Sequence, residues 1–184
     1  MSSAQSKPEP EVHEYQAEMQ KLLDILVHSL YTEREIFLRE LLSNSADALS
    51  KVQFLALTSA DQLLNPDASL QIELSFDEDK QTITIEDTGC GMTREELIEN
   101  LGTIASSGTL KFLREAQQSK QAVQHLIGQF GVGFYAVFMV ADKVELTTRS
   151  WRPDSQAWSW NSSGSGQYEL CLLYTSDAAD DTTG

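Results

Sequence analysis

Several features that would assign a protein to a particular class are scarce in this sequence of 184 residues. Its two cysteines, Cys90 and Cys171, are far apart and form no C-x-x-C pair, so we expect neither a disulfide framework nor structural zinc. No apolar run approaches the ~20 residues of a membrane span. The N-terminus lacks the basic segment and the apolar segment of a signal peptide. These absences predict a soluble cytoplasmic protein.

Positive charge is also scarce, because 13 Lys and Arg residues face 28 Asp and Glu residues and give a net charge of −15. Nucleic acid and anionic membranes would be repelled at long range, so we expect neither as a partner. An anionic ligand would need a local source of positive potential, such as a helix N-terminus, a glycine-rich turn or a divalent metal ion. The three histidines have no metal-ligand spacing, and no Walker phosphate-binding sequence is present.

The patterning of the chain predicts one α/β domain. Residues 1–12 have no periodicity and are expected to form a mobile tail. An amphipathic helix is predicted from Tyr15 to Leu30, and a second helix is predicted to run to about Leu57, with Thr32 and Glu35 as its capping box. Alternating residues at 70–76 and 82–86 predict a half-buried β-hairpin.

The second half of the domain continues with a short helix that a second capping box, Thr93 with Glu96, would begin. Residues 102–129 are rich in Gly, Ser and Gln, a composition that suits a movable lid. An apolar helix is predicted at 130–140, then a strand at 144–148, then a hairpin with Trp158 and Trp160 on one face.

The second helix carries an unusual polar stripe. At 3.6 residues per turn, Glu40, Asn44, Asp47 and Lys51 fall within an arc of roughly 60°. Apolar residues border this stripe on both sides, which favours the wall of a wet pocket over a solvated helix face. A carboxylate and an amide in such a pocket could orient a water molecule and bind Mg²⁺. The alternative is an ordinary solvent-facing stripe.

Two glycine-containing turns could complete this pocket. The first, Asp87-Thr-Gly-Cys-Gly91-Met92, follows the hairpin, and its carboxylate could accept a hydrogen bond from an exocyclic amine. The second, Gly128-x-x-Gly131-x-Gly133, opens the apolar helix and could present backbone N–H groups to phosphate. Alone, the first could be a simple turn and the second could serve helix packing. Their order after an acid-amide helix is more specific than any one of them.

Three segments carry a family resemblance: YTEREIFLRELLSNSADAL at 31–49, DTGCGMTREELIENLGTIASSGT at 87–109 and IGQFGVGFYAVFMVADKV at 127–144. They closely resemble the N-terminal ATPase domain of the ninety-kilodalton heat-shock chaperone family, of the bacterial high-temperature protein G type. Looser motifs of this kind occur in gyrase B, MutL and sensor histidine kinases. FLRELLSN favours the chaperone branch.

The resemblance implies a two-layer α/β (α+β) sandwich of the Bergerat (GHKL) type, with helices on one face of a mixed, largely antiparallel sheet. ATP and Mg²⁺ would lie between helices and sheet, with Glu40 as general base, Asn44 as the metal ligand and Asp87 as the partner of the adenine amine. The lid would close over the nucleotide. The other residues implied to bind the nucleotide are Asp47, Lys51, Gly91, Met92, Asn100, Gly131, Val132, Gly133 and Phe134.

The implied biology is ATP-driven folding of unfolded client proteins under heat shock and other stress, by a full-length homodimer. An isolated fragment of this kind is expected to be monomeric and to hydrolyse ATP weakly. The alternatives are a non-catalytic, nucleotide-regulated interaction module and an ATPase of the topoisomerase or mismatch-repair type.

The sequence departs from the family's pattern at two places. Ser106 stands where a basic lid residue is common, and no strand with a Gly-Thr pair follows Tyr168. The nucleotide-binding domain is therefore assigned to residues 13–170, incomplete at its C-terminal end, and 171–184 to a tail outside the family. The family's middle and C-terminal dimerisation domains are not in this sequence.

Overall fold

The computed structural model describes residues 9–15, 34–102 and 133–174. Its helices are α1 (Ile36–Thr58) and α2 (Arg94–Gly102), with two 3₁₀ helices at Ala60–Gln62 and Gly133–Met139. Its strands are β1 (Glu11–Glu14), β2 (Ile72–Asp77), β3 (Thr82–Asp87), β4 (Val144–Arg149), β5 (Ala157–Ser162) and β6 (Gln167–Leu173).

The strands of the described residues form two antiparallel sheets. Four of them pair in the order β1-β6-β5-β4, and β2 pairs with β3 in a separate hairpin. In the larger sheet Trp160 lies opposite Leu146 on one side and Leu170 on the other, which places three apolar side chains in one row. Helices and antiparallel sheets agree with the predicted α/β sandwich.

The core lies against this row. Trp160 and Leu170 are fully buried, as is Leu97 of α2, and Tyr135 of the second 3₁₀ helix is 2 % exposed. The prediction that Trp158 and Trp160 share a face is confirmed by the strand register, although Trp158 is only half-buried. The second 3₁₀ helix also packs against α1, which ties α1 to the core.

Local signals placed most element boundaries well. The β2–β3 hairpin and the strand at 144–148 are confirmed within two residues. The second predicted helix ends within one residue of the predicted Leu57, but it begins three residues later than a cap at Thr32 would place it. The Thr93–Glu96 capping box is present, because the Thr93 N–H donates to Glu96 Oε2 at 2.8 Å and the Glu96 N–H donates to Thr93 Oγ1 at 3.2 Å. The first predicted box is wrong, because Glu35 is itself the N-cap of α1 and makes no side-chain capping bond.

Two predicted segments differ at the termini. Glu11 and Val12 were assigned to a mobile tail, but they begin β1, which pairs with β6. Glu11 and Val12 form a strand because they pair with a distant strand, and the local sequence does not indicate that pairing. At the other end, β6 continues through Leu173, because Cys171 and Leu172 still pair with β5. Residues 171–173 therefore belong to the sheet rather than to a tail.

Two further expectations need correction. The apolar segment at 133–139 is a 3₁₀ helix rather than an α-helix. The β2–β3 hairpin was expected to bury one face, yet Leu74, Phe76 and Ile83 are 48 %, 72 % and 57 % exposed. Alternating apolar residues indicate that these side chains share one face of the hairpin, but they do not show that another element packs over that face.

The predicted helix from Tyr15 lies outside the described residues except for Tyr15, which follows β1 and donates its N–H to Gly166 O at 2.8 Å. The predicted lid, including Ser106, also lies outside them apart from Gly102, the last residue of α2. None of the described helices is long and apolar enough to span a bilayer.

Candidate functional site

The polar stripe of α1 lies at the surface of the described structure. Asn44, Asp47 and Lys51 are exposed, and Glu40 is half-buried. Helix α1 reaches the second 3₁₀ helix and also contacts the hairpin strands β2 and β3. One helix therefore contacts both the Asp87–Met92 turn and Gly133, the described residue of the second glycine-containing segment.

Glu40 lies directly against Gly133, the first residue of the second 3₁₀ helix. A Cβ atom added to Gly133 would be 2.1 Å from Glu40 Oε2 and 2.8 Å from its Cδ. A side chain at position 133 would displace the carboxylate, so glycine is required for this close approach. The contact brings together two residues that were predicted to share a site.

Asp87 lies at the end of β3, beside the middle of α1. Its Oδ1 accepts a hydrogen bond from the Gly89 N–H at 2.9 Å, which bends the chain away from the strand. A Cβ atom on Gly89 would be 2.6 Å from that oxygen and 2.5 Å from the Ala48 methyl group. The Asp87 carboxylate and α1 thus approach each other across a glycine, and the carboxylate stays exposed.

Cys90 fastens the Asp87–Met92 turn to two other elements. Its N–H donates to Ala48 O of α1 at 3.2 Å, and its carbonyl accepts from the Trp151 N–H at 2.9 Å. Burial raises the pKa of the Cys90 thiol, and the nearby positive charge of Lys51 opposes the shift. The thiol therefore stays protonated at neutral pH and serves packing rather than nucleophilic chemistry.

Gly91 and Met92 complete this turn against β4. Gly91 has φ 55°, and a Cβ atom on it would be 1.8 Å from Arg149 O. The Met92 N–H donates to Thr148 Oγ1 at 3.0 Å. Met92 Sδ accepts a hydrogen bond from Asn100 Nδ2 at 3.7 Å, so two predicted binding residues meet here.

The second 3₁₀ helix is anchored by its aromatic residues. Phe134 packs edge-on against Trp160 and Tyr135, with ring centroids 5.7 Å and 5.6 Å away. The Tyr135 hydroxyl donates to Leu101 O at 2.5 Å, and burial raises its pKa. The Phe134 ring is thus a core contact, and a ligand at this position would meet backbone.

The predicted site residues form two groups along α1. Glu40 with Gly133 lies at one end, and Asp87, Gly91, Met92 and Asn100 gather around the turn beside Ala48. Eight residues of α-helix separate Glu40 from Ala48, which is about 12 Å at 1.5 Å per residue. This arrangement suits an elongated ligand with chemically different ends. Gly131 and Val132 lie outside the described residues.

Sequence reasoning missed the residues of β4 and its following loop that hold the turn. Thr148, Arg149 and Trp151 each contact it, although they are separated from it by more than fifty residues of sequence. A hydroxyl in an alternating strand carries no local signal of such a contact. In the part of the chain that the structure describes, no group of three or more His, Cys, Asp or Glu residues could hold a metal ion.

Comparison with known proteins defines the class. The family described as histidine kinase-, DNA gyrase B-, and HSP90-like ATPase matches residues 31–182, which include all the site residues above. The chain belongs to this family. The match extends to residue 182, beyond residue 170, where the predicted domain ends.

Three relatives define the branch of the family that this chain resembles. The chaperone protein HtpG of Oleidesulfovibrio alaskensis is 54% identical over 160 residues, covering 87% of this chain and 25% of that protein. HtpG of Chlorobium chlorochromatii is 53% identical over 158 residues, covering 85% and 25%. The mitochondrial heat shock protein 75 kDa of Rattus norvegicus is 51% identical over 158 residues, covering 86% and 22%.

The resemblance to the N-terminal ATPase domain of the HtpG type is thus confirmed. The chain spans about a quarter of the length of the HtpG relatives that it matches.

Proposed function

We propose that this chain is the ATP-binding and ATP-hydrolysing N-terminal domain of a molecular chaperone that assists protein folding. The observation that carries the proposal is the close contact between Glu40 of α1 and Gly133 of the second 3₁₀ helix. The same helix α1 accepts a hydrogen bond from the Asp87–Met92 turn at Ala48. A carboxylate that can activate water at one end, and an exposed Asp87 acceptor at the other, suit the two ends of ATP.

Each group has a role that follows from its chemistry. Asp87, exposed at the end of β3, accepts a hydrogen bond from the adenine amine, and Gly91 and Met92 border the base. Glu40 acts as general base for the water that attacks the terminal phosphate. The remaining contacts to ribose and phosphates come from Asp47, Lys51, Asn100 and the backbone of residues 131–134.

Magnesium fits the donor set of α1. Mg²⁺ prefers hard oxygen ligands, retains several waters and usually takes only one or two oxygens from the protein beside those of the phosphates. The side-chain oxygen of Asn44 is exposed one helical turn after Glu40 and offers such a ligand. Bound there, the ion would neutralise charge on the phosphates, while Glu40 positions and deprotonates the water.

The remaining proposed roles belong to the full-length protein, of which this chain would be one domain. We propose that it forms a homodimer in the cytoplasm, binds unfolded or partly folded clients, and couples ATP hydrolysis to their folding during heat shock. The nucleotide-binding domain would extend from β1 through β6 and include the lid proposed at 102–129. Isolated, it would be monomeric and turn over ATP weakly.

Isothermal titration of the chain with Mg-ADP tests nucleotide binding, and the proposal predicts a saturable heat. Asp87→Asn should abolish that heat, because the one accepting oxygen would stay with the Gly89 N–H and the Nδ2 donor would face the adenine amine. Glu40→Ala should leave it unchanged and remove hydrolysis, since Glu40 acts on water rather than on nucleotide. Absence of heat at millimolar ADP, or equal loss of binding in both variants, would contradict the proposal.

A further inference from the structure

Three hydrogen bonds attach the backbone of Cys90 and Met92 to α1, β4 and the loop after β4, and Thr88 is held separately by bonds to Ser69 and Gln71. Two are between backbone groups: Cys90 N–H to Ala48 O of α1, and Trp151 N–H to Cys90 O. The third uses a side chain, because the Met92 N–H donates to Thr148 Oγ1 at 3.0 Å. Of these three bonds, only the third depends on a side chain, so a substitution at Thr148 can remove it and leave the backbone groups unchanged.

The hydrogen bond between Met92 and Thr148 holds the part of the turn whose backbone has the least conformational freedom. Gly91 has φ 55°, and its Cα faces Arg149 O so closely that even a methyl group could not be accommodated. The Met92 amide follows at once, and Met92 Sδ accepts the hydrogen bond from Asn100. The position of the Met92 amide therefore determines where Gly91, Met92 and Asn100 lie relative to one another.

We propose that Thr148 is a positioning residue of the nucleotide site. By accepting the Met92 amide hydrogen, its hydroxyl holds the Asp87–Met92 turn in the conformation that receives the adenine ring. Thr148 acts through Met92 and does not touch the nucleotide. The inference rests on the proposed function, because the ligand that the turn receives is the adenine end of ATP.

Thr148→Val tests the inference, because valine keeps the β-branched shape and removes the acceptor. Loss of one hydrogen bond to a partly buried amide should weaken ADP binding about 5- to 10-fold. The Met92 amide should also exchange with solvent at least tenfold faster in the absence of nucleotide. Thr148→Ser, which keeps the hydroxyl, should restore both properties.

The neighbouring residue gives a matched control. Thr147 lies on the same strand, is exposed, and pairs with Ser159 of β5. Thr147→Val makes the same chemical change on the opposite face, so it should leave ADP affinity and Met92 exchange unchanged. Affinity is measured by titration with Mg-ADP, and amide exchange by NMR.

The possible outcomes distinguish a failure of this inference from a failure of the proposed function. A wild-type chain that does not bind ADP overturns both. A wild-type chain that binds ADP, with Thr148→Val binding equally well and Met92 exchange unchanged, overturns the role of Thr148 alone. If Thr148→Val does not fold, Thr148→Ala and the wild-type exchange rate decide the matter. A Met92 amide that exchanges as fast as an exposed one contradicts the inference.

Discussion

A methyl group at position 133 would test the placement of the proposed general base. In Gly133→Ala the new Cβ would lie 2.1 Å from Glu40 Oε2, 2.8 Å from Cδ and 3.0 Å from Cγ. Such distances cannot be tolerated, so the carboxylate must move. The atoms in the way are the far end of a flexible side chain rather than backbone, so Glu40 can rotate away without unfolding the domain.

The substitution should therefore separate activity from stability. A positioned general base contributes typically ~10²- to 10⁴-fold to rate, so we expect hydrolysis to fall at least about 100-fold. Gly133 lies in a 3₁₀ helix, whose backbone conformation alanine can adopt. The free energy of unfolding should change by no more than ~1 kcal/mol, because loss of glycine's freedom in the unfolded chain offsets the cost of moving Glu40.

The assay is single-turnover ATP hydrolysis with the chain in excess, together with urea unfolding and an ADP titration. The control is the same Gly133→Ala substitution made in the Glu40→Ala variant. With the carboxylate already removed, Gly133→Ala should cause no further loss of rate. Wild-type hydrolysis by Gly133→Ala, with normal stability and ADP affinity, would refute the role of Glu40 at this position.

Three further predictions concern stability. Gly91→Ala should destabilise the fold by ~2 kcal/mol or more, because the residue has φ 55° and its Cβ would meet a β4 carbonyl; an unchanged urea midpoint would contradict this. Tyr135→Phe should cost ~1–2 kcal/mol in urea unfolding, since the Leu101 carbonyl loses its buried donor; wild-type stability would show that the bond contributes nothing. The hydrogen bond from Arg94 lowers the pKa of Glu11 below 4.5. The stability that this pair contributes should therefore be present above pH 4.5 and be lost as pH falls through the lowered pKa. Glu11→Gln should remove that part of the acid dependence in thermal melts.

Local chemistry predicted much of the fold. The periodicity of α1, the alternation of β2 and β3, and the Thr93–Glu96 capping box each depend on residues close in sequence, and each is confirmed. The order of the acid-amide helix and the glycine-containing turns predicted that both turns approach α1, and Gly133 does lie against Glu40 and Gly89 against Ala48.

Features that depend on distant contacts were not predictable in this way. β1 exists because Glu11–Glu14 pairs with β6, and EVHE alone does not indicate a strand. The exposed face of β2 and β3 depends on what packs over it, which alternation cannot specify. The hydrogen bond between Met92 and Thr148 joins residues 56 positions apart, so it became visible only in the structure.

We propose that α1 joins the Asp87–Met92 turn and Gly133 in a single nucleotide site. Backbone NMR of the chain during titration with Mg-ADP tests it most directly. Amides of Glu40–Lys51, Asp87–Met92 and Gly133 should shift together, with one common dissociation constant. Shifts confined to one of these segments, or none at saturating ADP, would contradict it.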